Sequence, residues 1–171
     1  REQVELTRRA ALVPWLERQL SYWLTHARKD AHSLPAYFHG NDSGWDNSTT
    51  FDLDRVIESP DLAAFLVVQL DVLAGLAAEL GLTEPRWEAE SARIREALLS
   101  QLWDGENFVA VGATSGRTST ATSLLNLLPV VAGERLPLDV REKLAASIER
   151  HLTEFGPATE IPGTPHYEPD G

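Results

Sequence analysis

Apolar residues recur with helical spacing along most of the chain, and the strongest such pattern lies between residues 61 and 80. Ser59 suits an N-cap, Pro60 suits the first helical position, and Gly81 is a typical C-terminal stop. Ala and Val fill most of the remaining surface of this segment, so its apolar side extends nearly all the way round. A helix of this kind is expected to be largely buried.

The segments before this helix predict two more. Residues 4–13 have the pattern of a helix, and Pro14 starts or kinks the next one, which covers residues 14–29. The apolar face of that second helix consists of Leu16, Leu20, Trp23 and Leu24. Residues 30–40 then break the helical pattern.

Inner and outer helices alternate in the remainder of the chain. Residues 84–102 and 138–155 each show one apolar stripe against a charged remainder, which indicates outer helices. Residues 119–128 are mostly apolar and indicate a second inner helix. No long stretch has the period of a strand, so we predict an all-α fold of helical hairpins laid side by side. Such hairpins form an α-solenoid or a closed α/α toroid, in which the loops at one end of the inner helices share a rim.

Composition and charge exclude several classes of function. The chain of 171 residues has no Cys, which excludes disulfides and thiolate metal sites. Its net charge of −11 argues against binding to nucleic-acid phosphates or anionic membranes. The N-terminus lacks the apolar core of a signal peptide, and we expect a cytoplasmic protein without cofactor or metal. The chain has no Met and begins inside a helical pattern. We therefore expect a segment of a longer protein, with a processed mature chain as the alternative.

Most residues with chemical potential lie in one connection, "HGNDSGWDNSTTFD", which we call the acid loop (residues 39–52). A connection between helices needs only about 2–8 residues. Its Asp46 lies between Trp45 and Asn47, and partial desolvation beside an indole raises the pKa of a carboxylic acid, which keeps a proton available for donation. Trp45 can offer a ring face to a sugar. The side chains that can hydrogen-bond sugar hydroxyls are Asn47, Asp42 and His39. Glycoside hydrolysis uses this set of groups, with a second carboxylate opposite the acid.

The same residues are also consistent with a purely structural loop. Asp, Asn, Ser and Gly are common turn formers, so Asp46 would then only cap a turn. A calcium-binding loop fails, because Phe51 stands where Gly is needed and Ile57 where Glu is needed. The Ser of "GNDSG" comes one place too late for a nucleophile elbow. A sugar site and a capping loop are the two interpretations left by the residues themselves.

Four stretches of the sequence resemble one group of enzymes. They are "SLPAYFHGNDSGWDNSTTFD", "ESPDLAAFLVVQLDVLAGLAAELG", "LLNLLPVVAGERLP" and "EFGPATEIPGTPHYEPDG". The group comprises the α/α-toroid glycoside hydrolases around glycoside hydrolase family 63 and the mannosylglycerate hydrolase type, with glycogen-debranching relatives. "SGWD" is also similar to the trehalases of family 37. The resemblance covers most of the chain and is most specific in the acid loop.

The resemblance implies an (α/α)6 toroid, or six-hairpin glycosidase, of which residues 1–171 would be a single segment and roughly half. It implies an inverting hydrolase of α-linked glucosides or related oligosaccharides, with Asp46 as general acid and Trp45 and Asn47 touching substrate. Asp42 stands where many relatives carry Glu, and His39 is placed only by its position in the loop.

The family's catalytic base is a Glu much further along, past Gly171. Glu160 and Glu168 are expected to line the site without being that base. The segment alone would therefore be inactive without the rest of its catalytic domain. The competing hypothesis is a non-catalytic α-solenoid scaffold or carbohydrate-binding module.

Overall fold

Among the described residues, four α-helices and a 3-10 segment that is interrupted at Gly133 form the frame. The computed structural model describes residues 2–27, 34–82 and 85–169. The helices are α1 (Glu2–Ser21), α2 (Pro60–Glu79), α3 (Pro85–Gln101) and α4 (Leu138–Glu149), and the 3-10 segment covers Leu124–Arg135. A π-helical turn, Tyr22–His26, follows α1 directly.

Helix α2 is the centre of the hydrophobic core. It packs against α3 on one side and against the 3-10 segment on another. Its fully buried large side chains are Leu66, Leu70 and Leu73. Its length and mean hydropathy of 1.8 would also suit a membrane span, and half of that window is buried inside the fold. Because a core helix has the same composition, its packing is sufficient to explain the apolar surface that the sequence predicted.

The predicted bounds of α2 and the predicted end of α3 agree with the structure to within one residue. Pro60 is the first residue of α2, and Gly81 has the left-handed φ of 69° that ends a helix without strain. The apolar stripe of α3 is buried, and it consists of Trp87, Ile94, Leu98 and, just past the helix, Leu102. Residues 83–84, where the start of this helix was placed, lie outside the described residues.

Three other predicted bounds are wrong. Pro14 does not start a new helix, because α1 continues through it to Ser21, and a kink at Pro14 stays a prediction. The predicted helix at 119–128 is an extended stretch as far as Ser123, and the helical part begins only at Leu124. Residues 150–155 leave α4 and enter a hairpin of β4 (Leu152–Thr153) and β5 (Gly156–Pro157). The predicted helix end at residues 28–29 lies outside the described residues.

The connections that precede the inner segments meet at one end of the frame. A small antiparallel sheet joins β1 (Ala36–Tyr37) and β2 (Ile57–Glu58), before α2, to β3 (Val111–Gly112), before the 3-10 segment. The chain beyond α4 reaches the same place, where Glu160 bridges to Ser123. The acid loop therefore lies where three connections come together.

Candidate active site

The acid loop is closed at its base by a strand pair and a side-chain hydrogen bond. Ala36 pairs with Glu58 and Tyr37 with Ile57, on the two sides of the loop. The Tyr37 hydroxyl donates to Asp61 Oδ2 at 2.8 Å, which ties the incoming strand to the first turn of α2. The loop thus leaves and re-enters the core at one point.

Asp61 is a buried carboxyl group at the point where the acid loop joins the core. It is 1% exposed, and the Ser59 hydroxyl donates a hydrogen bond to its Oδ1. Ser59 occupies the predicted N-cap position, but its side chain bonds Asp61 instead of a backbone amide. Burial raises the pKa of Asp61, although the bonds from Ser59 and Tyr37 partly offset this effect. Burial and the neighbouring Asp61 charge likewise raise the pKa of Tyr37.

The first turn of the acid loop uses the side chains of Asp42 and His39 for its own backbone. Asp42 Oδ2 accepts from the amides of Phe38 at 2.9 Å and His39 at 3.1 Å. His39 Nδ1 accepts from the amide of Asn41 at 3.2 Å, which completes a reciprocal cap of a 3-10 turn, Gly40–Ser43. The second oxygen of Asp42 and Nε2 of His39 have no partner among the described residues. Their predicted contact with substrate stays a prediction.

Gly40 lets two parts of the loop pack backbone against backbone. A Cβ atom at this buried position would lie 3.0 Å from the carbonyl oxygen of Asp46, 3.2 Å from its Cα and 3.3 Å from Cδ2 of Phe51. Real Cβ atoms are seldom so close to backbone atoms, so a larger residue must displace Asp46. The first turn of the loop is therefore the surface against which the backbone of Asp46 lies.

Asp46 itself lies in a tight turn, and its carboxylate has no hydrogen-bond partner among the described residues. The amide of Ser48 donates to the carbonyl of Trp45 at 2.8 Å, so Asp46 and Asn47 are the two central residues of the turn. Within the described part of the chain, no hydrogen bond reaches the side chain of either residue. Both are exposed, while Trp45 beside them is half-buried. The described residues therefore place the indole next to Asp46 without enclosing the carboxylate.

A cleft of about 420 Å³ adjoins the acid loop. Thr49 and Asp52 of the loop form one side, Arg117 and its neighbours up to Thr122 form another, and His166 closes it from the C-terminal segment. Arg117 also donates to the carbonyl of Leu53 at 2.7 Å, which joins the cleft to the loop. Within the described residues no group of three His, Asp or Glu side chains is placed to hold a metal ion.

Sequence reasoning missed the residues that support this loop from behind. At Gly40 the sequence showed only a small residue and did not indicate the close contact with the backbone of Asp46. Ser48 and Ser123 lie in the mirrored dipeptides Ser-Thr and Thr-Ser, and each caps a 3-10 segment. The repetition of a hydroxyl pair before two turns was visible, but nothing in the sequence showed that the two pairs meet.

The fold is that of the GH63 enzymes, which are (α/α)6 toroids, and several solved structures resemble it over nearly all of the chain. An uncharacterised conserved protein of Thermus thermophilus superposes with a TM-score of 0.86 at 18% identity, over 98% of this chain and 54% of the other. The GH63 mannosylglycerate hydrolase of the same organism, in complex with glucose, gives a TM-score of 0.80 at 20% identity, over 96% and 51%. The complex of that hydrolase with Tris and D-glycerate gives 0.82 at 19%, over 99% and 55%. The chain thus spans about half the length of these structures.

The sequence shows the class of the chain to be a glycoside hydrolase domain. The sequence profile of the mannosylglycerate hydrolase MGH1-like glycoside hydrolase domain matches residues 2–171. The chain belongs to this family. No curated protein matches the chain.

Proposed function

We propose that this chain supplies the general acid of an inverting glycoside hydrolase. The observation that supports this most is the different use of two aspartates in one loop. Asp42 is engaged by backbone amides, whereas Asp46, at the tip of its turn, has both oxygens free of any bond to a described residue. A residue that only capped the turn would be engaged as Asp42 is.

The reaction uses two carboxyl groups, an acid and a base, on opposite faces of the sugar. Asp46 gives its proton to the glycosidic oxygen as the bond from that oxygen to the anomeric carbon breaks. Water attacks the anomeric carbon from the other face, and a carboxylate base takes a proton from it. Each turnover therefore returns the acid and the base to their starting states once protons exchange with solvent.

We assign the base to a Glu outside this chain, in the remainder of the catalytic domain. The chain spans about half of the structures it resembles, so a second half is available to supply it. An inverting enzyme needs about 6.5–9.5 Å between its two carboxyl groups, which leaves room for the water. We do not assign Glu160 as the base, because its two oxygens already accept hydrogen bonds from Thr49 and Thr122.

The substrate class we propose is α-linked glucosides or related oligosaccharides. Trp45 is half-buried beside the exposed Asp46 and Asn47, so the loop combines an apolar ring with hydrogen-bonding groups. Sugars present the same combination of apolar faces and hydroxyls. The complexes of the structural relatives with glucose and with D-glycerate support a small polyhydroxylated ligand.

The anomer first released from a substrate tests the proposal. We expect the complete protein to hydrolyse an aryl α-glucoside or an α-linked disaccharide of glucose, with β-glucose as the first product in a proton NMR time course. Release of α-glucose first would contradict the inverting mechanism. Absence of hydrolysis of both probes would contradict the substrate class.

A further inference from the structure

One carboxylate joins the acid loop to the connection before the 3-10 segment. Glu160 is buried, with only 6% of its surface exposed. Its Oε1 accepts a hydrogen bond from Thr49 Oγ1 at 2.7 Å, and its Oε2 accepts one from Thr122 Oγ1 at 2.9 Å. Each oxygen of a single side chain therefore holds a different segment of the chain.

Two serines next to these threonines join the same two segments. Ser48 Oγ donates to Ser123 Oγ at 2.7 Å. Each serine is also the N-cap of a 3-10 segment, and each accepts from a backbone amide at 3.3 Å, Ser48 from Thr50 and Ser123 from Leu125. Because the two caps are bonded to each other, the start of one segment fixes the start of the other.

The backbone fixes Glu160 relative to the second segment. Ser123 and Glu160 form an antiparallel bridge, and the amide of Leu124 donates to the carbonyl of Thr159 at 2.8 Å. Glu160 is therefore anchored beside Thr122 whether or not its side chain is intact. The hydrogen bond from Thr49 to Glu160 therefore links the acid loop to this anchored position.

A carboxylate at this place needs an explanation beyond packing. Burying a charged group without an opposite charge is unfavourable, and among the described residues no Lys or Arg forms an ion pair with Glu160. Stronger hydrogen bonds partly offset this cost, because hydrogen bonds to an ionised acceptor are about twice as strong as neutral ones. Glu160 thus makes two strong bonds beside the serine pair, where the two segments meet.

We propose that Glu160 is a positioning residue that holds the general acid in place through Thr49. The inference rests on the proposed function of Asp46. The Asp46 side chain has no bond to a described residue, so the backbone of its turn sets its position. Ser48 ends that turn, and Thr49 follows it directly as the first residue of the next 3-10 turn. A displacement of about 1 Å at a catalytic group can cost about 10²-fold in rate.

The test compares substrates that differ in their need for a proton. In the complete protein, we expect Glu160→Ala to lower kcat for an α-linked disaccharide by about 10- to 100-fold with KM changed by less than about threefold. Fluoride leaves without a proton from a general acid, so kcat for α-glucosyl fluoride is expected to stay within about threefold of wild type. Glu160→Gln, which keeps one acceptor, should recover part of the loss on the disaccharide.

Two further variants separate positioning from general loss of structure. Thr49→Val removes one of the two bonds with little change in volume, and we expect the same selective loss at smaller size. Thr153→Val removes a hydroxyl whose bonds to Gly156 and Phe155 lie within the β4–β5 hairpin, and it should leave both rates unchanged. If Glu160→Ala does not fold, the comparison of Thr49→Val with Thr153→Val decides the question alone.

Asp46→Asn in the same assays separates failure of this inference from failure of the proposed function. If Asp46→Asn loses disaccharide hydrolysis selectively but the Glu160 and Thr49 variants lose both substrates equally, or neither, Glu160 does not position the acid. If Asp46→Asn keeps full activity on the disaccharide, the proposed function itself is wrong.

Hydrogen exchange tests the same support without a substrate. We expect backbone amides of residues 45–52 to exchange at least about tenfold faster in Thr49→Val than in Thr153→Val, because the support of the loop is weakened locally. Equal exchange in the two variants would overturn the inference.

Discussion

At the scale of single residues, the acid loop shows how two similar side chains come to differ in use. Asp42 closes the backbone of the first turn, and Asp46 rests its backbone on Gly40 and leaves its carboxylate exposed. The sequence alone allowed either residue to be the capping group. The distinction depends on which amides lie within reach, and that is set by the three-dimensional turn.

Gly40→Ala is expected to impair catalysis more than folding. The added Cβ would meet the carbonyl oxygen of Asp46 at 3.0 Å, so the backbone that carries the acid must shift by a few tenths of an ångström. We expect a fall in kcat of about tenfold or more in the complete protein, since catalytic geometry tolerates little displacement. Steady-state kinetics and thermal unfolding of the same preparation measure the two effects.

Gly75→Ala is the matched control for this substitution. Gly75 is exposed in α2, and nothing lies within 4 Å of a Cβ built there. Ala in a helix interior is favoured over Gly by about 0.5–1 kcal/mol, so this variant should be slightly more stable and fully active. A Gly40→Ala enzyme with the kcat of Gly75→Ala would show that the contact with Asp46 does not matter for catalysis.

At the scale of elements, the sequence was most informative where one element buries a whole face. The bounds of α2 and the stripe of α3 follow from helical periodicity with start and stop residues, and the structure confirms them. Residues 119–123 have the composition of a helix, but the end of this stretch pairs with Thr159 and Glu160, far along the chain. A pattern read within one segment carries no information about such a partner.

The position of Asp46 was identified for a different reason. Helical periodicity says nothing about a connection, and the loop was distinguished by its length, its polar residues and its resemblance to a family. None of these features indicated Gly40 or the bonded pair Ser48 and Ser123, and the resemblance placed Glu160 near the site without indicating its bond to Thr49. Their roles arise from contacts between segments that the sequence keeps apart.

The buried carboxyl at the start of α2 should give stability a particular pH dependence. Burial raises the pKa of Asp61, so the folded state binds this proton more readily than the unfolded state. The contribution to stability is therefore fully present below the unfolded value, about pH 4, and is lost as pH rises through the raised folded value. Asp61→Asn keeps an acceptor oxygen for one of the two hydroxyls, those of Tyr37 and Ser59, and cannot ionise.

We expect the free energy of unfolding of Asp61→Asn, relative to wild type, to shift in favour of the variant as the pH rises above about 4. Urea unfolding at several pH values measures this difference. Gln69→Asn, an exchange of one amide for another on the same helix, should show a difference that is constant with pH. A difference for Asp61→Asn that is equally constant would show that burial of this carboxyl has no such effect.

At the scale of the whole molecule, the chain has the structure of part of a ring. Large apolar side chains remain exposed on α1 and α2, among them Trp15 at 67% and Val72 at 56%. Exposed apolar faces of this kind usually mark a contact surface. Together with the coverage of about half of the GH63 structures, they support our proposal that a further part of the catalytic domain packs here.

The 171-residue chain alone should therefore be inactive as a hydrolase. It carries the acid but, in our proposal, lacks the opposite base, and a single carboxyl cannot both protonate the leaving oxygen and activate water on the other face. We expect no turnover of aryl α-glucosides or α-linked disaccharides by the chain, and turnover by the complete protein. Robust hydrolysis by the chain alone would refute the division of the site between two halves.

The most direct measurement of the central claim is the kcat of Asp46→Asn in the complete protein. Asn is nearly the same size as Asp but has no carboxyl proton to give, so we expect kcat for an α-linked disaccharide to fall by about 10²–10⁴-fold. Asp139→Asn, an exposed exchange in the first turn of α4, is the control and should keep the wild-type rate. An Asp46→Asn enzyme that hydrolyses the disaccharide as fast as this control would contradict the assignment of Asp46 as the acid.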